Sequence, residues 1–299
     1  MAELDILASR QYFTRIGLWP VQPTGIRPQR WLDNFSDPAE REFALALLDS
    51  FLYINSELTD QLFVSAFHNL SAEVCERARS GAEAVLRWTQ FRARLRVTHP
   101  TGETPNATDS GYMFDRKARM LLEVDQGQIM APEDLVELMH RDAYPHPLVF
   151  VDDFAGSGDQ FLETWKRPYE LSTGDWTSIA DETERLGVTD VFYAPAVCTS
   201  MAADRIAHEA PRVRVRPAHV LTDAYSAAHP DSLLVPAHLA GGLESFVASV
   251  STRVGIHPDS AFGYKRLGLA IAFEHSVPDA TLPLFWMELP GWTPLRRRR

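Results

Sequence analysis

Two adjacent carboxylates, Asp152 and Asp153, are followed by Phe154-Ala155 and then by the glycine-flanked serine of Gly156-Ser157-Gly158. The apolar run Leu148–Val151 precedes them, so the acidic pair stands at the C-terminal end of an expected buried strand, where open α/β sheets bind their ligands. Glycines let backbone N–H groups approach a ligand closely, and the helix expected from Phe161 turns the positive end of its dipole toward an anion. Carboxylates for hydroxyls beside a nest for phosphate make Leu148–Gln160 a candidate ribose-phosphate site. The plainer alternative is a strand–turn–helix whose Asp residues cap the helix, since short Gly-rich motifs also arise by chance.

A second loop lies upstream, from Thr108 to Arg119. Asp109 or Ser110 caps an expected helix there, Gly111 permits close backbone approach, and Arg116, Lys117 and Arg119 gather charge that suits a polyphosphate. An ordinary capped helix with a solvated basic face accounts for the same residues.

The elements that must carry these loops follow from periodicity. Helical spacing dominates as far as residue 97. Asp37–Ile54 places Phe43, Leu47, Phe51 and Ile54 on one face; Ser56–Phe67 is a second helix; a third opens at Ser71 as N-cap and runs through Val85, Leu86 and Trp88. Residues 98–111 are loop, and helices return over Tyr112–Leu122 and Pro132–His140. From Leu148 the pattern alternates. Asp190–Ala196 and Val213–Val220 read as strands, and Asp181–Leu186 and Ser200–Glu209 as helices; later, Leu239–Val250 is helical and Leu267–Phe273 strand-like. This order predicts an α/β fold, a doubly wound and mostly parallel sheet with an N-terminal helical region. The expected division is 1–97 helical, 98–295 α/β, and 296–299 a basic tail, solvated as chain ends usually are.

Composition narrows the function classes. Hydrophobic content of 45% with 23% charged residues is that of a globular protein. A net charge of −11 argues against a surface that grips nucleic acid throughout. Cys75 and Cys198 lack partners at metal-ligand spacing, which leaves neither a disulfide framework nor a zinc ribbon. Glu3 and Asp5 interrupt the N-terminal apolar positions and no run approaches the ~20 apolar residues of a membrane span, so a cytoplasmic protein without membrane contact is expected. His68 and His275 occupy positions usual for structural histidines, and the aromatics near 286–292 suit a core or partner contact.

Taken as Val151, Asp152-Asp153, Phe154-Ala155-Gly156, Ser157, Gly158, the first loop resembles the phosphoribosyltransferase fingerprint: an apolar strand, two acids, three variable positions, Ser or Thr, then Gly. The resemblance implies that Asp152 and Asp153 act in catalysis by holding the ribose hydroxyls, and that Ala155, Gly156, Ser157, Gly158, Asp159 and Gln160 cradle the 5-phosphate. It implies a pyrophosphate loop with Asp109, Ser110, Gly111, Tyr112 and Arg116, and Mg²⁺ held indirectly by Asp152 and Asp153. The implied ligand is phosphoribosyl pyrophosphate or a nucleotide. Asp159 and Gln160 depart from the family, which carries a small residue and then Thr. A carboxylate beside a phosphate nest opposes the charge the nest attracts, so Asp159 points outward, recruits a cation, or marks a different ligand.

With Trp31-Leu-Asp-Asn-Phe35, Asp109-Ser-Gly-Tyr112 and Phe273–Trp286, the chain resembles phosphoribosyltransferase-like proteins of bacterial conflict systems, found with anti-phage modules including some retrons. That resemblance runs from about Trp31 to Trp292-Thr-Pro-Leu and implies a defence role with a protein partner. Three function classes follow: an enzyme of glycosyl transfer or N-glycosidic cleavage, a nucleotide-sensing subunit without turnover, and a scaffold.

Overall fold

The structure is a computed structural model that describes residues 3–20, 25–102, 110–142 and 144–298, with residues 110–112 as backbone only. In chain order, α1 (Glu3–Arg15), α2 (Pro28–Leu32) and α3 (Pro38–Asp49) lead into β1 (Leu52–Ile54). Helices α4 (Ser56–Val74) and α5 (Gly81–Arg94) precede β2 (Arg96–Thr98), and α6 (Ser110–Leu121) and α7 (Pro132–Arg141) precede β3 (Leu148–Ala155). Then come α8 (Asp159–Lys166), β4 (Tyr169–Glu170), β5 (Trp176–Thr177), α9 (Ile179–Leu186) and β6 (Val191–Thr199). The remaining elements are α10 (Ser200–Glu209), β7 (Val213–Val215), β8 (His219–Leu221), α11 (Ala237–Val254) and β9 (Ile271–Phe273).

Contacts gather the chain into two compact units, Asp60–Val220 and Met1–Thr59 with Leu221–Arg299. Neither boundary falls at residue 98, where the sequence pattern changes. Helices α4 and α5 share the N-terminal helical pattern, yet Phe63, Phe67 and Phe91 belong to the core of the unit that holds the main sheet. Helical periodicity marks an apolar face without saying which surface that face will cover.

The 60–220 unit is built on a sheet of order β2-β3-β6-β7, parallel throughout that path, with β8 also paired to β6. Alternation along β3 and β6 supplies both faces with apolar side chains. On one face Val149, Val151, Phe192 and Ala194 pack with Phe63, Phe91, Phe114 and Ala118 from α4, α5 and α6. On the other, Leu148, Phe150, Val191 and Tyr193 pack with Leu135, Phe161, Ile179 and Ile206 from α7 to α10. Helices on both faces of a mostly parallel sheet are what the strand–helix alternation predicted. Both central strands exceed their expected lengths: β3 runs on from Val151 to Ala155, and β6 from Ala196 to Thr199.

In the other unit β1 pairs in parallel with β9, Leu52 opposite Ile271 and Ile54 opposite Phe273. The helix expected over Asp37–Ile54 therefore stops at Asp49, because Leu52–Ile54 gains a strand partner that lies far along the chain. Ser71 is not a cap but an interior residue of α4. Ser80 does the capping instead: its Oγ accepts the Glu83 N–H at 3.2 Å, while Glu83 Oε2 accepts the Arg79 N–H at 2.8 Å. The strand expected over Val213–Val220 divides into two short ones on either side of Pro217, which has no N–H to give to a ladder.

Trp31 Nε1 donates to Leu284 O at 2.8 Å and its ring stacks on Phe285 at 5.1 Å. Asn34 Nδ2 donates to Thr293 O at 2.8 Å and Asn34 Oδ1 accepts the Thr293 N–H at 3.0 Å. The Trp31–Phe35 segment and the aromatic C-terminal segment are thus each other's packing partners. Arg296 is only 5% exposed. Its N–H donates to Phe285 O at 2.9 Å, and its Nη2 to Glu274 O at 2.5 Å. It is part of this unit's framework rather than of a solvated tail, whereas Arg297 and Arg298 are exposed.

Candidate functional site

Because β3 extends to Ala155, both carboxylates lie within the strand, alongside β6 and beyond the last pairing with β2, Thr98 opposite Phe150. Asp152 is 3% exposed and Asp153 6%. Asp152 follows Phe150 on the face that also carries Tyr193, whose hydroxyl donates to Asp152 Oδ2 at 2.8 Å. Asp152 Oδ1 accepts the Asp153 backbone N–H at 2.9 Å. Burial, and after it the adjacent Asp153 charge, raise Asp152 well above the usual carboxylate range, against the opposing effect of the Tyr193 hydroxyl. Two neighbouring carboxylates out of water oppose each other's ionisation, which favours a shared proton on the pair. Such a pair can both donate to and accept from ribose hydroxyls.

The turn after β3 is held from several sides. Gly158 has φ +79°, and a Cβ there would stand 3.2 Å from Ile206 Cγ1, so both backbone and packing require glycine. It caps α8, whose first residue is Asp159. Ser157 Oγ donates to Asp159 Oδ2 at 2.8 Å and accepts the Asp159 N–H at 3.2 Å. Thr199, the N-cap of α10, donates from Oγ1 to Gly156 O at 2.5 Å and accepts the Ala202 N–H at 3.0 Å. Arg205, also on α10, forms an ion pair with Asp159 and donates to Ser157 O at 3.3 Å. Asp159 thus recruits a cation, one of the three courses open to it. Gln160 is exposed, and its carbonyl accepts the Thr164 hydroxyl at 2.8 Å.

The segment leaving β2 is fastened to α8 and α6. The Thr101 N–H donates to Thr164 Oγ1 at 2.9 Å, and Arg167 donates to Thr101 Oγ1 at 2.6 Å and to Gly102 O at 2.7 Å. Buried His99 lies with Nδ1 2.8 Å from Asp115 Oδ2 on α6, and burial raises the Asp115 carboxyl despite that contact. Of the upstream candidates, Asp109 lies outside the described residues. Ser110, Gly111 and Tyr112 open α6 as backbone. Arg116 is exposed, Lys117 pairs with Asp60, and Arg119 Nη1 lies 3.5 Å from Gln126 Oε1.

Burial pushes the Cys198 thiol, at the end of β6, up to about 12, which excludes a thiolate nucleophile there at neutral pH. His68 lies against Trp88, and His275 against Phe273. Among the described residues no group of three or more His, Cys, Asp or Glu side chains is placed to hold a metal ion.

Sequence reasoning brings out the strand, the acidic pair and the glycine turn, but not Tyr193, Thr199, Arg205, His99, Thr101 or Arg167. Thr199 had a legible signal, a Thr directly before a helix. The others act through partners distant in sequence, which no local pattern marks.

A family model described as PRTase-CE matches residues 28–298, which covers the 60–220 unit and the other unit from α2 onward. No curated protein and no solved structure matches the chain.

Proposed function

We propose, from the premise that this chain belongs to the PRTase-CE family, that it binds phosphoribosyl pyrophosphate or a nucleotide at the C-terminal end of β3. Membership makes it a phosphoribosyltransferase-like protein. The observation that carries the finer reading is the buried pair Asp152–Asp153 running directly into the turn Gly156–Gly158 at the start of α8. In this reading the pair orients the ribose through its hydroxyls, and the turn and helix terminus take the 5-phosphate. A glycosyl bond breaking at the anomeric carbon leaves positive charge there, which an acidic pair holding the ribose hydroxyls would stabilise.

Mg²⁺ fits as an ion that arrives with the ligand. Two carboxylates suffice for a cation that also keeps waters and takes phosphate oxygens. Asp152 and Asp153 would hold it, and its chemistry would be to offset charge on a pyrophosphate leaving group.

A role in bacterial anti-phage defence with a protein partner belongs to the same proposal, supported by the resemblance from Trp31 to the Trp292-Thr-Pro-Leu segment. So does a cytoplasmic location. Among the described residues no helix is long and apolar enough to cross a membrane. A nucleotide-sensing subunit without turnover is the second reading, favoured by the burial that raises Asp152 above the usual carboxylate range. A neutral acid binds ribose well but stabilises less charge at the reacting carbon.

The test is a thermal-shift series with phosphoribosyl pyrophosphate, nucleotides and Mg²⁺, on the wild type and on Asp152→Asn with Asp153→Asn. Ligand at a hundred times its Kd should stabilise the wild type by about 2.7 kcal/mol, and the double variant should lose the effect. Steady pyrophosphate or base release selects the enzyme, and binding without it the sensor. No shift with any of these ligands refutes both.

A further inference from the structure

We infer that Arg205 is a positioning residue of the phosphate turn, cancelling the Asp159 carboxylate at the start of α8 so that the turn remains able to take phosphate. The inference rests on the ribose-phosphate reading above.

Asp159 occupies the first position of α8, where a carboxylate both uses the favourable end of the helix dipole and repels an incoming dianion. In this chain it is engaged on both oxygens: Ser157 Oγ donates to Oδ2 at 2.8 Å, and the Arg205 guanidinium pairs with Oδ1. The placement of Arg205 is built into helix packing. Ala202 and Ile206 of α10 face Gly158 closely enough that a side chain there would meet both, and this approach sets Arg205 beside the turn. Its guanidinium is held further by Glu209, one helical turn on, at 2.8 Å. Glu209 in turn accepts Lys166 Nζ of α8 at 2.7 Å. Charges of alternating sign therefore run from the turn across two helices, Asp159, Arg205, Glu209, Lys166, and they sum to zero. The family residue missing at position 159 is thus compensated by a cation supplied from another helix.

The experiment is calorimetric titration of the full chain with ribose 5-phosphate, and with ribose as the uncharged control. Arg205→Met should weaken ribose 5-phosphate binding about tenfold at low salt, the size expected of an unmasked charge at a helix terminus. The loss should shrink as salt screens the repulsion. Adding Asp159→Asn to Arg205→Met should return the affinity to about the wild-type value, since the repelling charge is gone; a residue that merely held the fold would not be rescued so. Binding by Arg205→Met equal to wild type, or a double variant no better than the single one, overturns the inference. If Arg205→Met fails to fold, Asp159→Asn alone decides: binding at least as tight as wild type supports the inference, and weaker binding overturns it. A wild type that binds no ribose 5-phosphate refutes the ribose-phosphate reading and this inference with it, whereas wild-type binding with an indifferent Arg205→Met refutes the inference alone.

Discussion

Tyr193 spends its hydroxyl on Asp152 and its ring on the core, stacked on Phe161 at 4.5 Å. The two roles separate cleanly on substitution. Tyr193→Phe keeps the ring packing and leaves a buried carboxyl oxygen without its donor. It should lower unfolding free energy by about 1–3 kcal/mol, read from urea denaturation; an unchanged midpoint would show that the hydroxyl contributes nothing. Asp152 and Asp153 stand out in the sequence because their types and spacing are local facts. Tyr193 does not, because an aromatic residue in a buried strand reads as core, and only the parallel register of β3 with β6 brings its hydroxyl to Asp152.

At the scale of elements, α7 and α9 are joined through one buried carboxylate. Glu182 on α9 is 2% exposed; it lies 3.0 Å from His140 Nδ1 of α7, accepts the Thr177 hydroxyl at 3.1 Å, and takes Arg185 Nε at 2.6 Å. Burial acts to raise this carboxyl, but the hydrogen bonds from His140, Arg185 and Thr177 outweigh it and hold the group below its ordinary value of 4.5. A carboxyl with a lowered folded value adds stability that is fully present above the unfolded value and disappears as pH falls through the folded one. Glu182→Gln should therefore melt lower than wild type at pH ~7, with the gap closing as pH drops below ~4. A gap that stays constant with pH would show that the ionised carboxylate is not what joins the helices. Helix ends were partly legible at this scale. Ser80 and Glu83 have the spacing of a capping box, which Ser71-Ala-Glu-Val lacks, so the true start of α5 was written in the sequence.

At the scale of the whole molecule, one unit is a single continuous stretch and the other is assembled from both ends of the chain. The continuous unit contains the main sheet, two apolar cores on its faces, and every residue of the candidate turn. A fragment over residues 56–220, which keeps α4 whole, should melt cooperatively and show an α/β circular-dichroism spectrum. A broad, non-cooperative melt would show that this unit does not fold by itself. The ends-derived unit has no such fragment, because Trp31 and Asn34 take their partners from Leu284 and Thr293. Sequence pattern could not place these boundaries: α4 and α5 have the periodicity of the helices before them, and the surface they cover is specified by long-range packing.

What the sequence determined by itself was local. Alternation and apolar runs specified β3 and β6, the glycines of the turn marked a place of close backbone approach, and the acidic pair with that turn pointed to the phosphoribosyltransferase-like family that the match over residues 28–298 shows. What only the tertiary structure decided was company: Asp159 beside Arg205, Asp152 beneath Tyr193, Gly156 tied to Thr199, β1 joined to β9. Local conformation leaves a period in the sequence, because neighbouring residues share one backbone geometry. A contact between distant segments leaves none, since it depends on how whole elements pack. That difference is why the turn could be found from residues alone, while the cation that neutralises its carboxylate could not.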